Sequence, residues 1–188
     1  AIALFENKYR YNQMLVEQGY PAQRIEKRVT KLLKFFSHAI PLRWQLAATC
    51  GLEHYTSAMG QLILRDPRLF QGAHPTMRDL WLWHATEENE HKSVAFDVYQ
   101  AVGGNNPERL FIMIVTSLIF WALVWTQQAE MMAADGNALS AKEWRSLFRY
   151  LFKDPGGMQE LIAMTADYFR LDFHPRDTGG EQHVQAWL

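Results

Sequence analysis

The sequence has 188 residues, of which 48% are hydrophobic and 21% are charged, so it carries enough apolar residues for a folded core. Its 19 basic and 20 acidic residues give a formal net charge of −1, which excludes a strong positive field for binding DNA or RNA. Its single cysteine excludes an internal disulfide and a multi-cysteine zinc cluster. We therefore expect a cytoplasmic, globular protein without a nucleic-acid partner.

Proline and glycine divide the chain into helix-length segments. Between these breaks we find no alternating strand pattern and no repeat of fixed period, so we predict an all-α fold. The first segment enters a helical pattern without a start signal, and we therefore expect further residues before Ala1. At the other end, the tail from His174 is predicted to be irregular.

The helix predicted from Leu42 to Leu64 carries one acid, Glu53, on a face of apolar or small residues. A short loop from Asp66 to His74 joins it to the next helix, which predicts an antiparallel hairpin with its turn near Phe70. Glu53 lies about as far before this turn as Glu88 lies after it. The hairpin therefore places these two carboxylates at the same level.

The next predicted helix, from Trp81 to Tyr99, carries four ionisable residues within about a quarter of its circumference, namely His84, Glu87, Glu88 and His91. The same arc holds apolar residues that must pack against neighbours, Val94 and Val98 among them, so buried charges there need a compensating partner. Imidazoles beside carboxylates, with the spacing Glu-x-x-His, indicate a metal cation. A structural network of salt bridges is the alternative.

Other polar residues near this arc are predicted to be solvated, because they fall on other parts of the helical wheel: Asn89, Glu90, Lys92 and Asp97. His54 lies about 100° from Glu53 on its helix, and we expect it to face outward. His174 precedes a proline in the tail, which is typical of a surface or turn residue. Its folding back to the site is the alternative.

The segment from Leu110 to Thr126 has no charged residue across 17 positions and is apolar around its whole circumference. At about 1.5 Å per residue, the length of this segment is at the lower limit for crossing a membrane. A wholly buried core helix and a transmembrane helix are therefore both compatible with it. The following segment mixes basic residues with aromatic ones such as Trp144, as interfacial helices do. The predicted partners therefore include a membrane, and the predicted location includes its inner face.

A single Glu on one helix and Glu-x-x-His on its antiparallel neighbour are half of the carboxylate-bridged two-metal site of ferritin-like bundles. We therefore predict a ferritin-like antiparallel bundle with extra C-terminal helices, one of them very hydrophobic. Residues 1–106 form the metal-binding part, and residues 107–188 form the same domain or a membrane-associated appendage. Oxygen and nitrogen ligands without thiolate favour iron or manganese, with zinc as a further candidate.

Four stretches of the sequence resemble a known bacterial family: the run from Trp81 to Tyr99, Leu52–Thr56, Gly72–Pro75 and Phe173–Pro175. The family is described as predicted metal-dependent hydrolases with a ferritin-like helical core. This resemblance implies that Glu53, Glu88 and His91 are metal ligands, and that His84 and Glu87 are ligands or their partners. The chain departs from the family pattern at its start, where Ala1, Leu4, Asn7 and Lys8 stand in place of a Glu and spaced histidines.

Three functions are compatible with these residues. The first is a metal-dependent hydrolase acting on a small or lipid-like substrate, with Glu87 or His84 transferring protons. The second is a di-iron enzyme that activates O₂ to oxidise an apolar substrate. The third is a non-catalytic subunit, bound to a membrane, to copies of itself or to a larger complex, that retains a degenerate metal site.

Overall fold

The structure is a computed structural model that describes residues 2–179, with side chains described from residue 10 onward. Its described residues form α-helices and two short 3₁₀ helices and contain no strand, which confirms the all-α prediction. The ferritin-like arrangement stays a prediction. The α-helices are α1 (Ile2–Glu17), α2 (Ala22–Ala39), α3 (Leu42–Arg65), α4 (Pro75–His91), α5 (Val94–Ala101), α6 (Asn106–Ala134), α7 (Ala141–Phe152) and α8 (Met158–Asp167); the 3₁₀ helices are Pro67–Phe70 and Pro175–Thr178.

The helix predicted from Trp81 to Tyr99 is divided into α4 and α5 by a turn at Lys92 and Ser93. The turn changes the phase of the pattern, because a break between two helices rotates every later side chain relative to the earlier ones. The prediction that Val94 and Val98 face the core is therefore wrong, and both are exposed. The buried face of α5 consists of Ala95, Phe96 and Tyr99.

The chain forms two compact units. Unit 1 comprises Ala1–Pro41 and Leu118–Trp144, and unit 2 comprises Leu42–Ser117 and Arg145–Leu188. Helix α6 contributes its first part to unit 2 and its remainder to unit 1. The predicted division at residue 106 stays a prediction about domains.

Within unit 2, α3 and α4 form the predicted antiparallel hairpin. Ser57 Oγ lies 3.3 Å from Asn89 Oδ1, while a Cβ added at Gly60 would lie only 3.0 Å from the carbonyl oxygen of Ala85. Because later positions on α3 face earlier positions on α4, the two helices run in opposite directions. Small residues on α3 allow this close approach.

The first part of α6 packs against α3 in the same unit. Tyr55 on α3 donates a hydrogen bond of 2.9 Å to Ser117, and a Cβ at Gly51 would lie 2.8 Å from the sulfur of Met113. Burial does not extend around α6: in the stretch from Leu110 to Thr126 only Ile112 and Met113 are buried. The prediction of a wholly buried helix is therefore wrong for this stretch.

Helix α6 is long and apolar enough to cross a bilayer by length and composition, with 29 residues and a mean hydropathy of 2.0 in its most apolar window. Only 17% of that window is buried. Most of the apolar surface of α6 therefore lacks cover from the described residues.

Unit 1 combines α1, α2 and the second part of α6. Its helices are joined by polar contacts: Tyr20 donates a hydrogen bond of 2.7 Å to Asp135, and Arg28 forms an ion pair with Glu130. Among its described side chains, however, only Ala22 and Met132 are buried. Unit 1 therefore has almost no apolar core of its own.

Candidate metal centre

Glu88 occupies the contact between the two helices of the hairpin. Its carboxylate oxygen Oε2 accepts a hydrogen bond of 2.6 Å from the hydroxyl of Thr56 on α3. Its other oxygen, Oε1, lies 3.4 Å from Nε2 of His84, one turn earlier on α4. Glu88 is thus oriented from both helices and keeps one side open to the edge of the contact.

His84 has an unsatisfied nitrogen. Its Nδ1 atom is buried and has no hydrogen-bond partner, and the nearest carboxylate oxygen of Glu87 lies 3.8 Å away. A buried ring nitrogen without a partner costs free energy, so it marks a place where a further group can bind. The imidazole also packs near Trp81, with 5.9 Å between ring centroids.

Glu53 lies on α3 within electrostatic range of Glu88 and His91. Burial raises the pKa of the Glu53 carboxyl, and the negative charge of Glu88 raises it further, whereas His91 acts in the opposite direction. The hairpin therefore brings Glu53, Glu88 and His91 into one electrostatic group. His91, at the last turn of α4, has an exposed side chain.

The side chains do not converge on one point as they stand. Within residues 10–179, no three His, Cys, Asp or Glu side chains lie close enough together to hold a metal ion. The predicted ligand set of Glu53, His84, Glu88 and His91 therefore stays a prediction, as do the catalytic roles of His84 and Glu87.

The chemical character of these residues nevertheless fits a divalent metal. In the part of the chain whose side chains are described, Glu87 and Glu88 form ion pairs with His84 and none with lysine or arginine. Carboxylate oxygens and imidazole nitrogens are ligands for iron, manganese and zinc. The unpartnered nitrogen of His84 and the carboxylates without a basic partner both leave a role for a cation.

Thr56 was not recognised as a site residue from the sequence. Besides bonding to Glu88, its hydroxyl lies 3.1 Å from the carbonyl oxygen of Glu53. A signal was available, since a hydroxyl three residues after Glu53 lies on the same face of α3. Thr56 therefore links the segment that carries Glu53 to the carboxylate of Glu88.

The structure corrects the prediction that His54 faces outward. His54 is buried, and its Nε2 atom hydrogen-bonds at 2.9 Å to the carbonyl oxygen of Met164. Its ring packs against Tyr168 and Phe173, with centroids 5.1 Å and 5.2 Å away. His54 therefore belongs to the packing between α3 and the segment after α8.

Two further residues predicted to be solvated are buried. Asn89 donates a hydrogen bond of 2.8 Å to the carbonyl oxygen of Ala85 and faces α3. It is buried because the contact with α3 covers more of the circumference of α4 than the predicted quarter. Lys92 is buried at the turn between α4 and α5 and donates a hydrogen bond of 2.5 Å to the carbonyl oxygen of Gly179. Glu90 is exposed, as predicted.

His174 is a turn residue that folds against α5. Its Nδ1 atom accepts a hydrogen bond of 3.2 Å from the backbone N–H of Arg176, which caps the 3₁₀ helix Pro175–Thr178. Its Nε2 atom lies 3.0 Å from Asp97, a half-exposed residue that also pairs with Arg176. The described polar contacts of His174 are therefore with its own 3₁₀ helix and with α5, and none is with Glu53 or Glu88.

Comparison with known proteins supplies a family. A family model described as "Predicted metal-dependent hydrolase" matches residues 7–179. No curated protein and no solved structure gives a significant match. The matched range contains the whole hairpin as well as the segment around His174.

Proposed function

We propose that this chain, which belongs to the family of predicted metal-dependent hydrolases, carries its hydrolytic site on the α3–α4 hairpin. The observation that carries the proposal is the buried, unpartnered Nδ1 of His84 beside two carboxylates, Glu87 and Glu88, that form no ion pair with lysine or arginine among residues 10–179. A protein that leaves such groups uncompensated pays in stability, and a bound cation removes that cost.

Glu53, Glu88, His84 and His91 are the residues that would hold the metal. Iron or manganese suits this mixed set best, and zinc is a further candidate. When bound, a divalent metal lowers the pKa of its water and polarises a carbonyl or phosphoryl oxygen.

The chain's own residues orient the site. The hydroxyl of Thr56 holds Glu88 Oε2 at 2.6 Å and so fixes the direction of that carboxylate. Glu87 has a 41% exposed side chain and lies beside His84, so it can carry protons between solvent and the site. We therefore assign proton transfer to Glu87, and to His84 only where its ring nitrogen does not bind the metal.

The surroundings favour a substrate with an apolar part. Trp81 is 43% exposed and packs near the imidazole of His84. An exposed indole next to polar groups provides an apolar surface that can bind an acyl or aryl group. We therefore extend the proposal to a small ester or phosphoester with an apolar substituent.

The test is hydrolysis by the purified chain loaded with manganese, iron or zinc. We expect metal-dependent cleavage of a chromogenic carboxylic ester or phosphodiester that a chelator abolishes and that metal restores. Glu88→Gln and Glu53→Gln should remove at least 90% of the activity, roughly the loss seen when a charged ligand is replaced. Glu90→Gln, an exposed change on the same helix, is the matched control and should keep it.

Three results would contradict the proposal. Equal hydrolysis by the chain and by Glu88→Gln would place the reaction elsewhere. Absence of hydrolysis together with an O₂-dependent absorbance change in the iron-loaded chain would replace hydrolysis by the di-iron oxidation alternative. Absence of both reactions, with no metal bound, would favour the non-catalytic subunit.

A further inference from the structure

We infer that unit 1 docks peripherally onto a bilayer that contains anionic phospholipids. The inference concerns a different part of the chain from the hairpin and does not depend on the proposed hydrolysis. It rests on a charged stripe on α2, on the exposed apolar side chains of the same unit, and on the attachment of α6 in unit 2.

Helix α2 carries a stripe of positive charge. Its five basic residues, Arg24, Lys27, Arg28, Lys31 and Lys34, stand against one acid, Glu26, in a chain whose net charge is −1. Arg24 and Arg28 are paired with Glu130 on α6. Within the described side chains, Lys27, Lys31 and Lys34 have no acidic partner in an ion pair and are exposed.

These three lysines share one face with an exposed aromatic residue. At 100° per residue, Lys27, Lys31, Lys34 and Phe35 fall within about 100° of the circumference of α2. Phe35 is 64% exposed. A basic face interleaved with an exposed large apolar side chain is the pattern of helices that lie in the headgroup region of anionic membranes.

Most apolar side chains in the rest of unit 1 are not buried by other described residues. Only Ala22 and Met132 are buried among its described side chains, and Leu118 on α6 is 69% exposed. A groove of about 540 Å³ lies between α1, α2 and α6, lined largely by apolar residues such as Ile25, Val29 and Val124. This volume is in the range of sites that accept an apolar chain.

The contacts of α6 favour docking on the surface over spanning of the bilayer. In unit 2, Arg109 is 1% exposed and donates to the carbonyl oxygens of Tyr168 and Arg170, and Ser117 is bonded to Tyr55. The first part of α6 is thus packed against other segments of unit 2, and a spanning helix would have to leave these partners or take them into the hydrocarbon region. Charge complementarity therefore commits unit 1 to the anionic surface of a bilayer.

The experiment is flotation of the purified full chain with two kinds of vesicle, phosphatidylcholine alone and phosphatidylcholine with phosphatidylglycerol. We expect binding to the anionic vesicles only, falling as salt rises. Lys27→Gln/Lys31→Gln should weaken this binding roughly 20- to 30-fold, because each basic residue near such a surface contributes about fivefold. Arg78→Gln/Arg170→Gln removes two exposed charges from unit 2 and should leave binding unchanged.

A second variant separates charge from insertion. Phe35→Asn should weaken binding about tenfold while keeping the salt dependence, since it removes apolar burial and no charge. Equal binding to both kinds of vesicle, no binding to either, or equal loss in the control pair would overturn the inference. Resistance of the bound chain to alkaline carbonate would show a spanning helix, and a stable dimer that binds no vesicle would show that a second copy covers unit 1; either result also overturns it.

Discussion

Two histidines on the hairpin of unit 2 differ in their hydrogen bonding and packing. His54 on α3 is buried, hydrogen-bonds to a backbone carbonyl and packs between aromatic rings. His84 on α4 keeps a buried Nδ1 without a partner and lies between two carboxylates. The protein supplies a hydrogen-bond partner for Nε2 of His54, whereas it supplies none for Nδ1 of His84. The first pattern indicates a structural residue, and the second is the pattern that we expect of a metal ligand.

The same difference separates the regions around the two histidines. Near His54, the guanidinium of Arg109 is surrounded by rings and backbone carbonyls, with its carbon 4.8 Å from the centroid of Tyr168. Burial raises the pKa of the Cys50 thiol to about 12, so that thiol is uncharged at neutral pH. Near His84, by contrast, the carboxylates of Glu53, Glu87 and Glu88 form no ion pair with lysine or arginine among the described side chains. The His54 region stabilises the fold, and the residues of the His84 region are chemically suited to bind a metal ion.

The largest expected effect comes from removing the centre of the His54 region. Arg109→Ala would leave the buried carbonyl oxygen of Tyr168 and the part-buried one of Arg170 without their donor, and would remove the contacts with the rings. We expect a loss of roughly 3–5 kcal/mol in the free energy of unfolding, measured by urea denaturation. A loss below about 1 kcal/mol would show that this region does not hold the unit together and would break the comparison.

A smaller effect is expected where the hairpin closes. In Gly60→Ala the new methyl group would lie 2.9 Å from the amide nitrogen of Asn89, so the helices must separate slightly. Overpacking outweighs the gain in helix propensity, and we expect a net loss of about 1–2 kcal/mol together with weaker metal binding. Leu42→Ala, an 81% exposed position at the start of α3, is the control and should change neither. Unchanged metal binding in Gly60→Ala would separate the site from the hairpin contact.

The smallest expected effect has the opposite sign. The hydroxyl of Tyr168 is buried and forms no hydrogen bond of acceptable geometry, and the Arg109 side chain lies within electrostatic range of it. Tyr168→Phe should therefore leave the unfolding free energy unchanged or raise it by up to about 1 kcal/mol. A clear loss of stability in the same denaturation experiment would mean that the hydroxyl has a partner after all.

Features set by neighbouring residues could be predicted from the sequence. Helical periodicity, together with proline and glycine, gave the all-α fold. The short loop around Phe70 and the small residues of α3, including Ser57 and Gly60, gave the antiparallel hairpin and brought Glu53 near Glu88. These features depend on spacing within a segment or across one short turn, and spacing is visible in the sequence.

Features that depend on residues far apart in the chain could not be predicted from the sequence. The burial of His54 depends on Met164, which lies 110 positions later in the chain. The buried Lys92 bonds to Gly179, which is 87 positions away, and the turn beside it changes the phase of α5. A helical wheel gives the face of a residue but not which distant segment covers that face. For this reason, several polar residues that the helical wheel predicted to be exposed are buried in the structure.

The most direct test of the central claim is the response of stability to metal, compared between the chain and Glu88→Gln. With manganese, iron or zinc at about 100 times its dissociation constant, we expect the melting temperature of the chain to rise by roughly 5–10 °C. Glu88→Gln should lose most of this rise, and Glu90→Gln should keep it. An equal rise in Glu88→Gln, or no rise in the chain with any of the three metals, would contradict a metal centre on the α3–α4 hairpin.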